Sequence, residues 1–197
     1  DEGVILDNLK LVSNGEFLHL EIFEILTNNK YPCRNPEQNI ADLKAQIAAN
    51  EKGVLELKSM ISQFGYDVVH SYKDHIQNYA ESCVRRMINS LVDGNAEIVF
   101  DQGCKISVSI QIDKNTQTAT IDFTVTSTQH PDNFNAPEPI TRAAVLYCIR
   151  SMLDEVIPIN AGCLRPINII LPKNSMLTPS FPAAVVAGNV EVSQAIA

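Results

Sequence analysis

The side chains with the most chemical potential in this sequence are asparagines, which cluster with glycines in three apolar loops. The loops read DNFNAP from Asp132, PINAG from Pro158 and AGNVEVSQ from Ala187. Asparagine offers a hydrogen-bond donor and an acceptor, and glycine lets main chain approach a ligand closely. Because the neighbouring residues are apolar, these polar groups would be partly desolvated and would need partners. The partners are either one another, in a structural role, or a small polar substrate such as a cyclic amide.

Other familiar catalytic motifs do not occur in the sequence. It contains no G-x-G-x-x-G, P-loop, G-x-S-x-G or H-E-x-x-H pattern. The four histidines are isolated, and only His130, close to Asn133, lies in a loop where it could act as a general base. A plain loop histidine is the alternative. We therefore predict no metal site within this chain.

Composition narrows the range of partners and compartments. The chain has 197 residues, of which 45% are hydrophobic, and its formal net charge is −8. Phosphate binding needs clustered Lys and Arg, so a nucleic-acid partner is not expected. No apolar run reaches the roughly 18 residues that a membrane span requires, so no membrane association is predicted. The cysteines form no C-x-x-C pair, which favours a reducing compartment, and we expect the cytoplasm; they are Cys33, Cys83, Cys104, Cys148 and Cys163.

Two long helices are predicted in the first half of the chain. Asn35 can cap the first helix, Pro36 suits its first position and Gly65 can stop it. Apolar residues in this helix alternate at spacings of three and four, which is typical of a heptad seam; they are Ile40, Leu43, Ile47, Val54, Leu57, Ile61 and Phe64. Asn50 occupies the one polar position of the seam, where it either fixes the register or reaches water or a neighbouring backbone.

The second helix, predicted over residues 67–92, should fold back on the first as an antiparallel hairpin. Its apolar stripe includes Tyr72 and Tyr79. If Val54, Tyr72 and Tyr79 are exposed in the monomer, the hairpin is an interface; if they pack on the sheet, it is core.

The second half of the chain has strand character. The segments AEIVFDQ, CKISVSIQID and QTATIDFTVTS alternate apolar and polar residues, which predicts an antiparallel sheet with one buried face. A helix that begins near Pro139 is apolar nearly all round and should be buried. LRPINIILP is predicted to be a strand that Pro166 confines to an edge. The predicted fold class is therefore α+β, divided into residues 1–94 and 95–197.

Long stretches of the sequence resemble one known family. NPEQNIADLKAQIAAN, NFNAPEPITRAAVLYCIRSMLDEVIPINAGCLRPINIILPKNSMLTP and PAAVVAGNVEVSQ are similar to the hydantoinase B/5-oxoprolinase family, over essentially the whole chain. The resemblance implies a hydrolase that opens a cyclic amide, 5-oxoproline or N-methylhydantoin, with ATP hydrolysis activating the amide. It also implies a hydantoinase A-like ATP-binding partner, which would hold ATP and Mg²⁺. Acetone and acetophenone carboxylases use the same type of subunit.

The resemblance further implies that the chain is an internal fragment, inactive alone. The family's GTHLPD-like and HHAD-like motifs, which supply its expected metal ligands, would precede Asp1. Within the matching motifs, Glu191 is the candidate acid or base. The candidate substrate-binding residues are Asn135, Arg142, Asn160, Arg165 and Asn189; each asparagine could instead hold a loop, and the arginines could meet a carboxylate or phosphate.

A second hypothesis assigns the chain a scaffolding role, in which the helical hairpin docks the ATP-binding partner. A homo-oligomer is also possible.

Overall fold

The computed structural model describes residues 3–197, which form two compact units. The first unit runs as far as His70, and the second is Ser71–Ala197. One helix crosses from the first unit into the second. The predicted division at 94/95 instead follows the change from helix to strand in the sequence.

The first unit combines a short hairpin with helices. Strands β1 (Val12–Ser13) and β2 (Glu16–Phe17) are antiparallel and are joined by Asn14 and Gly15, which both have positive φ. This is the conformation that Asn-Gly turns adopt readily. Helix α1 (His19–Thr27) packs on the start of helix α2 (Pro36–Phe64), and Ile22, Leu26 and Ile40 form the buried core.

The boundaries predicted for α2 are confirmed. The Asn35 side chain accepts a hydrogen bond from the Gln38 amide at 3.2 Å, Pro36 is the first residue, and the helix ends at Gly65 with φ of 84°. Glycine is favoured there because a side chain is strained at positive φ. Helix α3 (Tyr66–Ile88) follows directly and ends a few residues before the predicted limit of 92.

The seam predicted along these two helices is not covered over most of its length. Ile40 is buried, but Val54 is 49% exposed and Leu57 is 55% exposed. Tyr72 and Tyr79 of α3 are 64% and 49% exposed. A heptad pattern indicates that a helix surface can pack on another helix, but it does not indicate whether that helix belongs to the same chain. Val54, Tyr72 and Tyr79 are therefore exposed, and the interface on these helices stays a prediction.

A four-stranded sheet organises the second unit, in the order β3 (Gly94–Val99), β4 (Lys105–Asp113), β5 (Thr118–Asp122), β6 (Ile167–Ile170). The first three strands are antiparallel, as predicted, but β6 runs parallel to β5. The sheet is therefore mixed. The chain between β5 and β6 contains helix α4 (Glu138–Ser151), and a crossover of this kind returns a strand in parallel.

Strand β5 ends earlier than the alternating pattern predicted. The Asp122 carboxylate accepts a hydrogen bond from the Thr124 amide at 2.8 Å, and the Thr126 amide then bonds to the Phe123 carbonyl. Such local side-chain bonding turns the backbone out of the ladder. Phe123 is buried, whereas Val125 is exposed and lies beyond the residues that pair in β5.

The core of the second unit is covered from one side by α4. Thr141, Ala144, Val145 and Ile149 are buried, whereas Tyr147 is exposed. The prediction of burial therefore holds for one face of the helix only. At the edge of the sheet, every residue of β3 is exposed.

The structure also describes the state of the cysteines and the character of the helices. All five cysteines fall in the described part of the chain, and none forms a disulfide. Within residues 3–197, no helix combines the length and the apolar character that crossing a bilayer requires.

Candidate functional site

Three loops of the second unit lock together through main-chain hydrogen bonds. We call residues 127–136, 172–180 and 183–189 the loop cluster. The Gln129 amide donates to the Asn174 carbonyl at 3.0 Å, and the Ala136 amide donates to the Met176 carbonyl at 2.6 Å. The Ala187 amide donates to the Asn133 carbonyl at 3.1 Å. Two of the three predicted asparagine-rich loops are thereby brought together.

Asn135 lies at the centre of the loop cluster and is fully buried. Its Oδ1 accepts from the His130 amide at 2.8 Å. Its Nδ2 donates to the carbonyls of His130 at 3.0 Å, Asp132 at 2.9 Å and Ala184 at 2.9 Å. The amide is thus saturated by main chain, and the geometry fits the loop-holding role more closely than direct contact with a substrate.

Asn189 and Glu191 extend from the loop cluster towards solvent. Asn189 ends a 3₁₀ helix, Val186–Asn189, and Glu191 begins helix α5 (Glu191–Ile196); both are exposed. Gly188 is buried, and a Cβ built on it would lie 2.5 Å from the Asn135 carbonyl oxygen. Only glycine allows this approach, which places the Asn189 segment against the Asn135 backbone.

Asn160 caps the other predicted loop, which docks on α3. Its Oδ1 accepts from the Gly162 amide at 2.8 Å, and its Nδ2 donates to the Pro158 carbonyl at 3.0 Å. A Cβ on Gly162 would lie 2.0 Å from the Gln77 carbonyl oxygen of α3. The loop is therefore packed on the helix backbone itself.

Arg165 fastens the same loop to α3. Its guanidinium donates to Gln77 Oε1 at 2.5 Å and to Asn78 Oδ1 at 2.9 Å, and it lies 3.3 Å from Glu81 Oε2. Hydrogen bonds from Arg85 first, and from Arg165 next, hold the pKa of Glu81 below its usual value. The ionised Glu81 carboxylate therefore helps to hold the loop on α3, and the guanidinium of Arg165 is occupied by side chains of α3.

Arg142 is paired with a residue that the sequence did not single out. Its Nε donates to Glu138 Oε1 at 2.7 Å, one turn earlier on α4. Glu138 lines an open cleft of about 440 Å³. Ligand sites in proteins occupy roughly 300–1,000 Å³, so the cleft has room for a small molecule.

The cleft offers polar groups beside an apolar wall. Ile169 and Leu171 supply the wall, and Lys173, Asn174 and Thr178 supply a cation, an amide and a hydroxyl. With the carboxylate of Glu138, this set can hydrogen-bond an amide and pair with an anionic group. Asn174 and Thr178 belong to the loop cluster, which positions them.

His130 has a defined place in the loop cluster. Its Nδ1 accepts a hydrogen bond from the Asp132 amide at 3.1 Å, and its ring meets Phe134 edge-on at 5.7 Å. The structure therefore assigns the ring a loop-ordering contact.

A separate polar cluster joins α3 to the segment after α4. Tyr79 donates to Glu155 Oε2 at 2.8 Å, and Arg86 donates to Glu155 Oε1 at 2.7 Å. The hydrogen bond to Glu155 raises the pKa of Tyr79 to about 12. Arg86 and then Tyr79 lower the pKa of Glu155. Among residues 3–197, no three His, Cys, Asp or Glu side chains converge as a metal site would require.

The sequence motifs located the right segments but not every relevant side chain. Glu138 and Lys173 lie within the segments PEP and PKNSMLTP, yet nothing in their local pattern marked them. They belong to one cleft only because α4 and the segment after β6 meet in space. Asn135 and Asn189 are brought into neighbouring loops. Asn160 caps a loop that packs on α3, and Arg165 bonds to side chains of α3.

Comparisons with known proteins show the family of the chain over its full length. The family model described as Hydantoinase B/oxoprolinase matches residues 1–197. The chain belongs to the hydantoinase B/oxoprolinase family.

Relatives in this family include two proteins named as 5-oxoprolinases. The 5-oxoprolinase of Dictyostelium discoideum is 39% identical over 98% of this chain, and 5-oxoprolinase 1 of Arabidopsis thaliana is 38% identical over 100% of it. The chain spans only 16% and 17% of the lengths of those two proteins.

A solved structure shares the fold. The ATP-dependent caprolactamase from Pseudomonas jessenii superposes with a TM-score of 0.79 at 21% identity, over 99% of this chain and 34% of the other. At this identity the likeness concerns the fold.

Proposed function

We propose that this chain is part of an ATP-dependent hydrolase that opens a cyclic amide such as 5-oxoproline or N-methylhydantoin. The observation that carries the proposal is the match to the hydantoinase B/oxoprolinase family over residues 1–197. Two relatives that cover the chain are named 5-oxoprolinases, and the protein that shares the fold is an ATP-dependent caprolactamase. All three names describe hydrolysis of an amide within a ring.

In this proposal the chain needs a second protein module for activity. A hydantoinase A-like module binds ATP and Mg²⁺, and ATP hydrolysis activates the amide for attack by water. Metal ligands of the B-type protein come from outside this chain. The chain alone then neither hydrolyses ATP nor opens the ring. We place the assembly in the cytoplasm because its five cysteines are unpaired.

Within the chain, the proposed roles follow from burial and hydrogen bonding. Glu191 is exposed and is the candidate acid or base, and Asn189 beside it is a candidate to bind substrate. Asn135 and Asn160 hold the loops that present such groups. Arg142 positions Glu138, and Arg165 holds its loop on α3 through Asn78.

The cleft adds recognition groups to this set. Lys173 can pair with a carboxylate such as that of 5-oxoproline, and Ile169 and Leu171 can contact the ring. Glu138 can accept a hydrogen bond from the ring N–H, held in place by Arg142.

ATP-coupled ring opening by the complete protein with its ATP-binding module tests the proposal. Glu191→Gln should lower turnover by roughly 10²–10⁴-fold if Glu191 transfers a proton. It should leave the melting temperature unchanged, because the side chain is exposed. Ser193→Ala, on the same short helix, is the control. Full activity of Glu191→Gln would remove Glu191 from the site; no ring opening of any cyclic amide by the assembled wild type would refute the function.

A second candidate function is supported by exposure on α3. Tyr72 and Tyr79 present aromatic surface, and tyrosine is enriched at the centres of protein interfaces. In this reading the chain docks the ATP-binding module. Tyr72→Ala should then weaken capture of a purified hydantoinase A-type protein, whereas unchanged capture would count against α3 as the docking face.

A further inference from the structure

The apolar stripe of α2 starts in the core of the first unit and continues beyond it. Ile40 and Leu43 belong to the hydrophobic cluster that includes Ile22 and Leu26. Further along the helix, Val54, Leu57 and Phe64 stand in solvent. From Ile47 to Phe64 the stripe is about 27 Å long. Single exposed apolar residues are ordinary, but an apolar stripe of this length, interrupted only by Asn50, is typical of an interaction surface.

The residues of the stripe repeat with a period of seven, and one core position of the repeat is polar. One position of the heptad holds Ile40, Ile47, Val54 and Ile61, which are all β-branched. The other core position holds Leu43, Asn50, Leu57 and Phe64. Apolar residues at two positions of a heptad form a seam on which another helix can pack. The exposed part of the stripe therefore suits a partner helix with a similar pattern.

The charges beside the stripe complement a second copy of the same helix. Glu51 and Lys58 flank the seam, and among the described residues neither takes part in an ion pair. If two α2 helices cross antiparallel about an axis between Val54 and Leu57, Glu51 of each copy faces Lys58 of the other. A parallel pair would instead set Glu51 against Gln46 and Lys58 against Gly53, so only the antiparallel pair uses both charges.

We propose that α2 pairs with α2 of a second copy of this chain, antiparallel, with Val54 of each copy packed on Leu57 of the other. Asn50 then lies in the seam opposite Ile61. A polar residue in such a position restricts the register at a cost in stability. The interface involves the first unit alone and is independent of the amide chemistry.

Sedimentation equilibrium of the purified protein between about 1 and 100 μM tests the pairing, since dimers held by a short seam dissociate in this range. The wild type should be a reversible dimer. Leu57→Glu should raise the dimer dissociation constant at least about tenfold, because it places a charge in the seam. Leu55→Glu is the matched control: Leu55 is equally exposed and only two residues away, but it lies off the stripe. Circular dichroism should show equal helix content in both variants.

Charge exchange tests the antiparallel orientation. Glu51→Lys alone should weaken the dimer by roughly fivefold, since two symmetric surface pairs become repulsive. The double variant Glu51→Lys, Lys58→Glu should restore it, and Asn50→Leu should strengthen it. A monomeric wild type at 100 μM would overturn the proposal. So would equal effects of Leu55→Glu and Leu57→Glu, a failure of the double variant to rescue, or a seam covered only when an ATP-binding module is added.

Discussion

Replacing Asn135 should unfold the loop cluster, and the structure sets the size of the effect. The side chain makes four hydrogen bonds to main chain and is fully buried. Nδ2 has only two N–H groups for its three carbonyls, so the side chain makes the equivalent of about three full bonds, at roughly 1 kcal/mol each. The buried main-chain groups left unpaired add about 1 kcal/mol more, so Asn135→Ala should cost about 4 kcal/mol of unfolding free energy. Small domains have roughly 5–15 kcal/mol in total, so this loss is severe. The melting temperature should fall by about 12 °C.

Asn135→Asp separates hydrogen bonding from packing. Aspartate has almost the same shape, and it keeps the oxygen that accepts from the His130 amide. Its second oxygen, however, would face the three carbonyls to which Nδ2 now donates. Asn135→Asp should therefore be at least as damaging as Asn135→Ala, although it leaves no cavity.

Urea unfolding and thermal melting, followed by circular dichroism, measure both effects. Asn189→Ala is the matched control, because Asn189 is an exposed asparagine of the adjoining segment and should change stability by less than about 0.5 kcal/mol. The reasoning fails if Asn135→Asp melts with the wild type, or if Asn135→Ala is no more destabilising than Asn189→Ala.

Two further predictions concern α3. Gly162→Ala should destabilise the protein by about 3 kcal/mol or more, since its Cβ would lie 2.0 Å from the Gln77 carbonyl oxygen and main chain would have to move. Gly94→Ala, with open space around its Cβ, should be nearly neutral in the same urea titration. Ultraviolet titration should show one tyrosine, Tyr79, ionising near pH 12, and Glu155→Gln should return it towards 10. Because the folded pKa is raised, the stabilisation from this tyrosine is present below pH 10 and is lost as the pH rises through 12. An unchanged titration curve in Glu155→Gln would show that the Glu155 hydrogen bond is not the cause.

Local signals in the sequence predicted local structure well. The cap at Asn35, the proline at 36 and the glycine at 65 act within a single turn, so α2 lies where its sequence indicates. The alternation in β4 likewise reflects one buried face of the sheet. These features depend on near neighbours in the chain, and for that reason one sequence suffices to predict them.

The features that the sequence left open or mispredicted depend on distant parts of the chain. The direction of β6 is set by the crossover that contains α4, and alternation carries no information about direction. The end of β5 depends on one carboxylate, Asp122, turning back on Thr124. The exposure of Val54 depends on which surfaces cover α2, and a heptad pattern is the same whether the covering helix is in the chain or outside it.

In the candidate site, too, features set by neighbouring residues could be predicted, and features set by distant residues could not. The asparagine-rich loops stand out by composition, and the prediction that they need polar partners is confirmed for Asn135 and Asn160. The pairing of Glu138 with Arg142 is readable from a spacing of four on a helix. Lys173 could not be found, because it joins Glu138 only through folding.

The outer edge of β3 has a consequence for how this chain meets other molecules. Its main-chain groups lie at the margin of the sheet, beside exposed Ile98 and Val99. An extended peptide added there would be held by backbone hydrogen bonds that any sequence can make. Recognition along α2, in contrast, depends on the spacing of particular side chains. The edge of β3 can therefore pair with other chains without regard to their sequence, whereas α2 selects its partner. At high protein concentration, association through the β3 edge should appear first.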